Sequence, residues 1–582
     1  MDSRVVCLVA LLICAGASAC VRDAWQYTPP DAAAVVATDA PVDAPSGPTP
    51  PRPLAPLSTA TVTSRRPTLR WALTSGDGAH VDLCRDRALT VDCVAFDAVG
   101  ARGAPPADLA AGLWFWRLAA RAGATTTAAV GPVWQFSVGA RTALDASWGT
   151  TPDVNGDGFS DVVVGATMAN RAYVYLGSAG GVGVVPITLI NPAGSAGFGF
   201  SVASAGDLDG DGFADVAVGA YLSNTAYVYR GGPGGPGATP IALAGPAGSA
   251  AFGASVASAG DLDGDGYGDL IVGANASNTA HVYFGGAGPA LLTAAPVALT
   301  GPAGATSFGG SVTSAGDVNG DGRADLAVGT FASGRVYLYL GLGSRIAPAA
   351  VAILNPSRTT DNFGNRVANV GDVNGDGYSD LGVGAYQANS GYVYLGGAGG
   401  LGATPITIPG PPGSGACCGV TAGAGDLDGD GFDEVMIVAP AFDRVFIYRG
   451  GAASPLTGAL PEIVGPGGYF GTDVAGAGDV NRDGHADVVV GAFRYGTPAT
   501  GGAFVYLGTA DGLGDTPAVL TGPVMSEFGG SVAGARWRPR PPTAAMRSPP
   551  AAITPPGRAT PPPSAAPRAP RSAPAPRSGA PC

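Results

Sequence analysis

Short apolar runs alternate with acidic, glycine-rich loops along most of this chain. The run Val162-Val163-Val164-Gly165-Ala166 is followed by Ala172-Tyr173-Val174-Tyr175-Leu176-Gly177 and then by Pro186-Ile187-Thr188-Leu189-Ile190. Runs this short, rich in β-branched and aromatic residues and bounded by Gly, Pro, Asn and Asp, predict strands. The second run recurs as Ala226-Tyr227-Val228-Tyr229, His281-Val282-Tyr283-Phe284, Val336-Tyr337-Leu338-Tyr339-Leu340 and Tyr392-Val393-Tyr394-Leu395. An aromatic-Gly pair stands ahead of most loops, as in Phe198-Gly199, Phe252-Gly253, Phe308-Gly309, Phe363-Gly364 and Phe470-Gly471. Roughly four strands per period of about fifty residues fits one blade of a β-propeller.

The loops themselves repeat seven times in the form D-x-[DN]-x-D-G-x-x-[DE], starting at Asp153, Asp207, Asp261, Asp317, Asp372, Asp426 and Asp479. Successive starts lie 54, 54, 56, 55, 54 and 53 residues apart, a regularity that chance turns do not produce. Oxygen side chains at positions 1, 3, 5 and 9, with the backbone carbonyl of position 7, form the hard donor set that Ca²⁺ prefers. Gly at position 6 permits the turn that points them inward. The first two candidate sets are Asp153, Asn155, Asp157, Phe159, Asp161 and Asp207, Asp209, Asp211, Phe213, Asp215. The next two are Asp261, Asp263, Asp265, Tyr267, Asp269 and Asp317, Asn319, Asp321, Arg323, Asp325. The last three are Asp372, Asn374, Asp376, Tyr378, Asp380, then Asp426, Asp428, Asp430, Phe432, Glu434, then Asp479, Asn481, Asp483, His485, Asp487. An EF-hand needs a bidentate Glu at position 12, whereas this chain has Val164, Val218, Val272 or Val328 there, inside a strand run.

Phe-Gly, acidic loop and Gly-Ala in that order resemble the FG-GAP repeat of integrin α-subunit propellers and their bacterial relatives. The sixth unit spells its ending Val438-Ala439-Pro440. The resemblance implies a seven-bladed, calcium-binding propeller with about seven Ca²⁺ ions on one face. The sixth unit departs from the pattern, with Cys417-Cys418-Gly419 for Phe-Gly and Glu434 closing its loop. Small apolar filling by the two cysteines is favoured over a vicinal disulfide. No inserted adhesion domain interrupts the repeats, so an integrin-like adhesive metal site is not implied. The first loop lacks its own Phe-Gly segment, and a surplus segment, Phe528-Gly529-Gly530-Ser531-Val532, follows the last loop. Closing the ring with that segment would complete blade 1 and protect sheet edges.

The fold expected is all-β, with a propeller over residues 145–535 preceded by a smaller domain over residues 58–140. There Thr68-Leu69-Arg70-Trp71-Ala72, His80-Val81-Asp82-Leu83-Cys84, Gly112-Leu113-Trp114-Phe115-Trp116-Arg117-Leu118 and Val133-Trp134-Gln135-Phe136-Ser137-Val138 alternate like strands of a fibronectin-III-like sandwich. The tryptophans read as core rather than as a sugar platform, and Cys84 and Cys93 are a candidate disulfide in an oxidising compartment. Arg4 and the apolar run Val5 to Ala15, ending in Gly16-Ala17-Ser18-Ala19-Cys20, read as an export signal spanning residues 1–20. Cys20 resembles the lipidated cysteine of a bacterial lipoprotein, which would leave the protein on the cell envelope; cleavage after Ala19 and secretion is the alternative. Residues 21–57, rich in Pro, Ala and Asp, read as a tether.

The chain has no Lys and a net charge of −13. Eight arginines after residue 535, with no acid among them, leave −21 on residues 1–535. Bound calcium would offset much of that charge, and nucleic acid is excluded as a partner on the same ground. His80, His281 and His485 are scattered, and neither H-E-x-x-H, Gly-x-Ser-x-Gly nor a P-loop occurs. The expected function is a monomeric binding or adhesion module for an unidentified protein or glycan, not an enzyme, touching membrane only through its lipid. The alternatives are a calcium-dependent polysaccharide-active enzyme and a purely structural surface protein.

Beyond Ala535 the repeat stops within one residue. Trp537 stands where an eighth loop would place its first Asp, and residues 536–582 are Pro, Ala and Arg without strand pattern. A basic interaction tail is one reading; a reading-frame shift is the favoured one. Ala535-Arg536-Trp537-Arg538-Pro539 can be written GCN CGN TGG CGN CCN, which one base later permits Leu-Asp-Gly-Asp.

Overall fold

The computed structural model describes residues 50–138 and 153–532, apart from short stretches within them. Cys20, Cys417, Cys418 and residues 536–582 lie outside the described residues. Helix among the described residues is limited to five three-residue 3-10 turns.

Seven four-stranded antiparallel sheets make up the repeat region. Blade 2 shows the pattern: Phe198–Gly206, Asp215–Ala220, Thr225–Tyr229 and Ile241–Ala244 pair in that order. The acidic loop therefore joins the first and second strands of a blade. Blade 1 is assembled from both ends of the repeat region. Val162–Ala166 pairs with Phe528–Val532, in the register Val164 to Val532 and Gly165 to Ser531. The closing segment expected from the sequence does complete the ring, so no blade is left with an open inner edge.

The motif residues have plain packing roles. Each described Phe of a Phe-Gly pair is fully buried against two ring side chains of its own blade's third strand. Phe198 lies 5.6 Å from Tyr227 and 6.3 Å from Tyr229, and Phe528 lies 5.5 Å from Tyr173 and 6.2 Å from Tyr175. His281 takes the Tyr place in blade 3 and packs 5.6 Å from Phe252. The glycines mark close approach between blades. Gly199 has φ +79°, and a Cβ there would meet the Arg171 carbonyl; a Cβ on Gly165 would meet the Gly199 carbonyl.

The N-terminal domain has a three-stranded sheet (Arg52–Ala55, Leu69–Ala72, Arg102–Gly103) and a six-stranded one containing Gly78–Cys84, Val94–Val99, Gly112–Ala122 and Trp134–Val138. Trp71, Trp116 and Trp134 are buried between them, the last two edge-to-face at 6.1 Å. Cys84 and Cys93 are disulfide-bonded. Arg52–Ala55 falls in the stretch read from sequence as tether, yet it forms a strand. It lies at a sheet edge, where proline is tolerated.

Candidate metal centres

All seven loops lie at one end of the ring, and their first residues tie each blade to the next. The carbonyl of loop position 1 accepts an N–H from position 8 of the following blade's loop: Asp153 from Ala214, Asp207 from Gly268, Asp261 from Ala324 and Asp317 from Ser379. Asp372 accepts from Asp433, Asp426 from Ala486, and Asp479 from Ser160, which carries the series over the closing seam. Position 2 is a buried Val or Leu throughout.

The position 9 carboxylate is the most enclosed candidate ligand. Asp161, Asp215, Asp269, Asp325, Asp380, Glu434 and Asp487 are fully buried or nearly so. Each accepts two backbone N–H groups, one from loop position 2 and one from the end of the third strand. For Asp161 these are Val154 and Gly177, both at 2.8 Å; for Asp487 they are Val480 and Gly508, both at 2.7 Å. Glu434 reaches Leu427 at 2.7 Å and Gly450 at 3.3 Å, so the longer side chain fills the same place. Burial, and then neighbouring carboxylates, push these acids up: Asp325, Asp380 and Asp487 to about 8, Glu434 to about 9. Asp153 at position 1 rises to about 7 from burial and the Asp157 charge.

Positions 3 and 5 divide the loops into two kinds. In loops 2, 3 and 6, Asp207, Asp209 and Asp211, then Asp261, Asp263 and Asp265, then Asp426, Asp428 and Glu434 bring carboxylate oxygens within 4.8 Å of one another. Asp209 Oδ1 and Asp263 Oδ1 are buried and accept no hydrogen bond. Orphaned anionic oxygens converging on one point are costly unless a cation satisfies them, so these loops fit a hard divalent ion. In the other four, Asn155, Asn319, Asn374 and Asn481 donate through Nδ2 to the position 5 carboxylates of Asp157, Asp321, Asp376 and Asp483, at 2.9 to 3.1 Å. Position 5 in every loop also accepts the N–H of position 7, as Asp211 does from Phe213 at 3.0 Å.

Several functional features escape sequence reading. Arginines at the end of the third strand answer the extra acid in two loops: Arg230 lies 3.5 Å from Asp209, and Arg449 lies 2.8 Å from Asp428. The position 7 side chains lie over position 4 glycines of the preceding loop. Phe213 covers Gly156, Tyr267 covers Gly210, Arg323 covers Gly264, Tyr378 covers Gly320, Phe432 covers Gly375 and His485 covers Gly429. That explains why the position accepts such unlike residues. His80 pairs with Asp97 in the N-terminal domain, so the three histidines do not converge.

At the opposite end, an Asn or Asp in left-handed conformation closes the turn after the second strand and accepts an N–H from the next blade. Asn224 (φ +53°) takes that of Phe252, Asn278 (φ +59°) that of Phe308 and Asp443 (φ +55°) that of Phe470, each at 2.8 Å. No described helix is long and apolar enough to cross a membrane.

The family model for the FG-GAP-like repeat matches residues 153–218, 207–272, 261–328, 317–383, 372–437 and 426–490, each span running from one acidic loop past the next. Integrin alpha-PS5 of Drosophila melanogaster is 33% identical over 159 residues, which is 24% of this chain and 16% of that protein. Integrin alpha-5 of Xenopus laevis is 37% identical over 155 residues (23% and 15%), and integrin alpha-IIb of Mus musculus is 34% identical over 181 residues (28% and 17%). The chain thus spans less than a fifth of the length of these relatives. Among solved structures, a protein from Lactobacillus plantarum covers 64% of this chain and 98% of its own, at 12% identity and TM-score 0.44. A putative 6-phosphogluconolactonase from Bacteroides fragilis covers 64% and 97%, at 10% identity and TM-score 0.42. With six matched spans running without a break from residue 153 to 490, over half of its length, the chain belongs to the FG-GAP-like repeat family.

Proposed function

We propose that the protein is an exported, calcium-stabilised binding module that holds a protein or glycan partner on the propeller end opposite the acidic loops. The observation that carries this reading is the character of that end. Its turns expose Met168, Leu222, Phe442, Tyr469 and Met525 on a backbone fixed from blade to blade. Apolar side chains exposed on one end of a rigid frame offer a partner anchoring points. Calcium serves the frame: bound in the loops, it would neutralise crowded carboxylates that otherwise oppose closure of the ring. A lipid on Cys20 would hold the module at the envelope, and Cys20→Ser would then release it as soluble protein.

Binding is favoured over catalysis because the acidic clusters are consumed by the loops and the histidines stand apart. The test is a glycan array and an envelope-protein pull-down with calcium-loaded protein, run beside the Leu222→Asp/Met525→Asp variant. Partners retained by wild type and lost by the variant support the reading. Equal retention by both proteins overturns it.

A further inference from the structure

We propose that Arg482 docks the N-terminal sandwich onto the acidic-loop end of the propeller, at the seam where blade 7 meets blade 1. Position 4 of the acidic loop is glycine in six loops: Gly156, Gly210, Gly264, Gly320, Gly375 and Gly429, with φ between +68° and +76°. In loop 7 it is Arg482, held at φ +61°. A long side chain resists this left-handed conformation, so its presence points to work done by the guanidinium.

That group makes three contacts. It stacks 4.6 Å from the centre of the Phe159 ring, the position 7 side chain of loop 1. Its Nη1 donates to the Asp157 carbonyl at 2.8 Å, and its Nη2 donates to the carbonyl of Val133 in the sandwich. At the other junctions a position 7 side chain closes over the preceding loop; at the seam the arginine fills that space and reaches beyond it. Both acceptors are main-chain carbonyls, which the planar guanidinium fork matches, and the charges of Asp157, Asp153 and Asp479 act on the same group.

Two further observations place the sandwich on this rim. Val133 leads directly into Trp134–Val138, whose Trp134 is buried, so the peg that Arg482 grips is rigid. The buried apolar residues of the sandwich, including Trp71 and Trp116, run on into Val154, Val163 and Phe198 of blades 1 and 2 as one cluster. Docked this way, the sandwich covers part of the loop rim and leaves the opposite end free.

Arg482→Gly is the informative variant, because glycine is the residue the other loops use there and the loop should fold with less backbone strain. In calcium buffer, full-length Arg482→Gly should show a larger radius of gyration by small-angle scattering. Limited proteolysis of the full-length protein should be about fivefold faster, since proteolysis follows the population of the undocked form. The melting temperature should be unchanged or higher. Arg482→Asn, which also tolerates this angle, should behave alike. If both variants keep the wild-type radius and cleavage rate, Arg482 is not the dock.

Discussion

Arg366 of blade 5 and Asp473 of blade 7 form an ion pair with exposures of 1% and 0%, reaching past blade 6. Both stand at the fourth place of the Phe-Gly segment, where blades 1 to 4 have Ser531, Ser201, Ser255 and Ser311. Those serines are blade-to-blade links: Ser531 accepts the Val202 N–H at 3.2 Å, and Ser201 donates to the Gly253 carbonyl at 3.0 Å. The Asp473 oxygen not facing Arg366 accepts the Val532 N–H at 2.9 Å, so one pair binds blades 5, 7 and the closing strand.

Removing one partner should therefore be far worse than removing both. Arg366→Met keeps volume but strands a buried carboxylate, and should cost about 3–5 kcal/mol. Arg366→Met/Asp473→Ser takes away both charges and restores the serine of the other blades, and should recover most of that loss. Calorimetric melting of the calcium-loaded proteins measures it. A double variant no more stable than the single one would show that the pair is not coupled.

Two carboxylates of a single loop should behave differently when removed. Asp269 is buried and accepts N–H groups from Leu262 and Gly285 at 2.8 and 2.9 Å, whereas Asp265 lies at the exposed rim. Asp269→Ala leaves two buried donors unmet and should cost about 2–6 kcal/mol even in EGTA, at about 1–3 per orphaned group. Asp265→Ala should weaken calcium binding with little loss in EGTA. Equal destabilisation by the two in EGTA would contradict the division of labour.

Strand order, loop positions and the closing segment were legible in sequence because repetition shows a role through its recurrence. Phe198, Gly199 and Asp207 each have counterparts down the chain, so a column stands for a structural place. Bonds from a loop to the next blade were not legible, since they end on main-chain carbonyls such as that of Asp153, which any residue supplies. Arg366, Asp473 and Arg482 were visible as breaks in their columns. Their partners were not, because ring closure brings together residues more than a hundred positions apart. Arg52–Ala55 was missed for another reason: proline-rich composition describes an edge strand as well as it describes a tether.

Calcium titration should resolve two classes of site rather than seven equal ones. Loops 2, 3 and 6 place Asp at position 3, where the other four place Asn bonded to the position 5 acid. The extra carboxylate raises the field at the ion, most in loop 3, since Arg230 and Arg449 offset part of it in loops 2 and 6. The Asn loops must give up a hydrogen bond to bind. Isothermal titration of EGTA-stripped protein should find about three tighter and about four weaker sites, with each site adding about 2.7 kcal/mol once calcium is a hundredfold above its dissociation constant. Asp263→Asn should move one site from the first class to the second. A single uniform class, or no bound calcium at all, would overturn this account of the loops.

The same acids set the pH dependence, and its sign reverses with calcium. Without metal, burial raises Asp153 to about 7, Asp325, Asp380 and Asp487 to about 8 and Glu434 to about 9. In the unfolded chain such groups titrate near 4. Between those values the folded state holds more protons than the unfolded state, so stability falls as pH rises. The contribution of these groups is complete below about pH 4 and is lost progressively up to about pH 9. Calcium binds the ionised forms and must displace their protons, so its affinity rises over the same range. Melting temperatures in EGTA should drop steadily from pH 5 to pH 9. In saturating calcium they should stay level or climb, and the two curves should separate most at the alkaline end. Curves that run parallel across this range would mean that the buried acids do not face the bound ion.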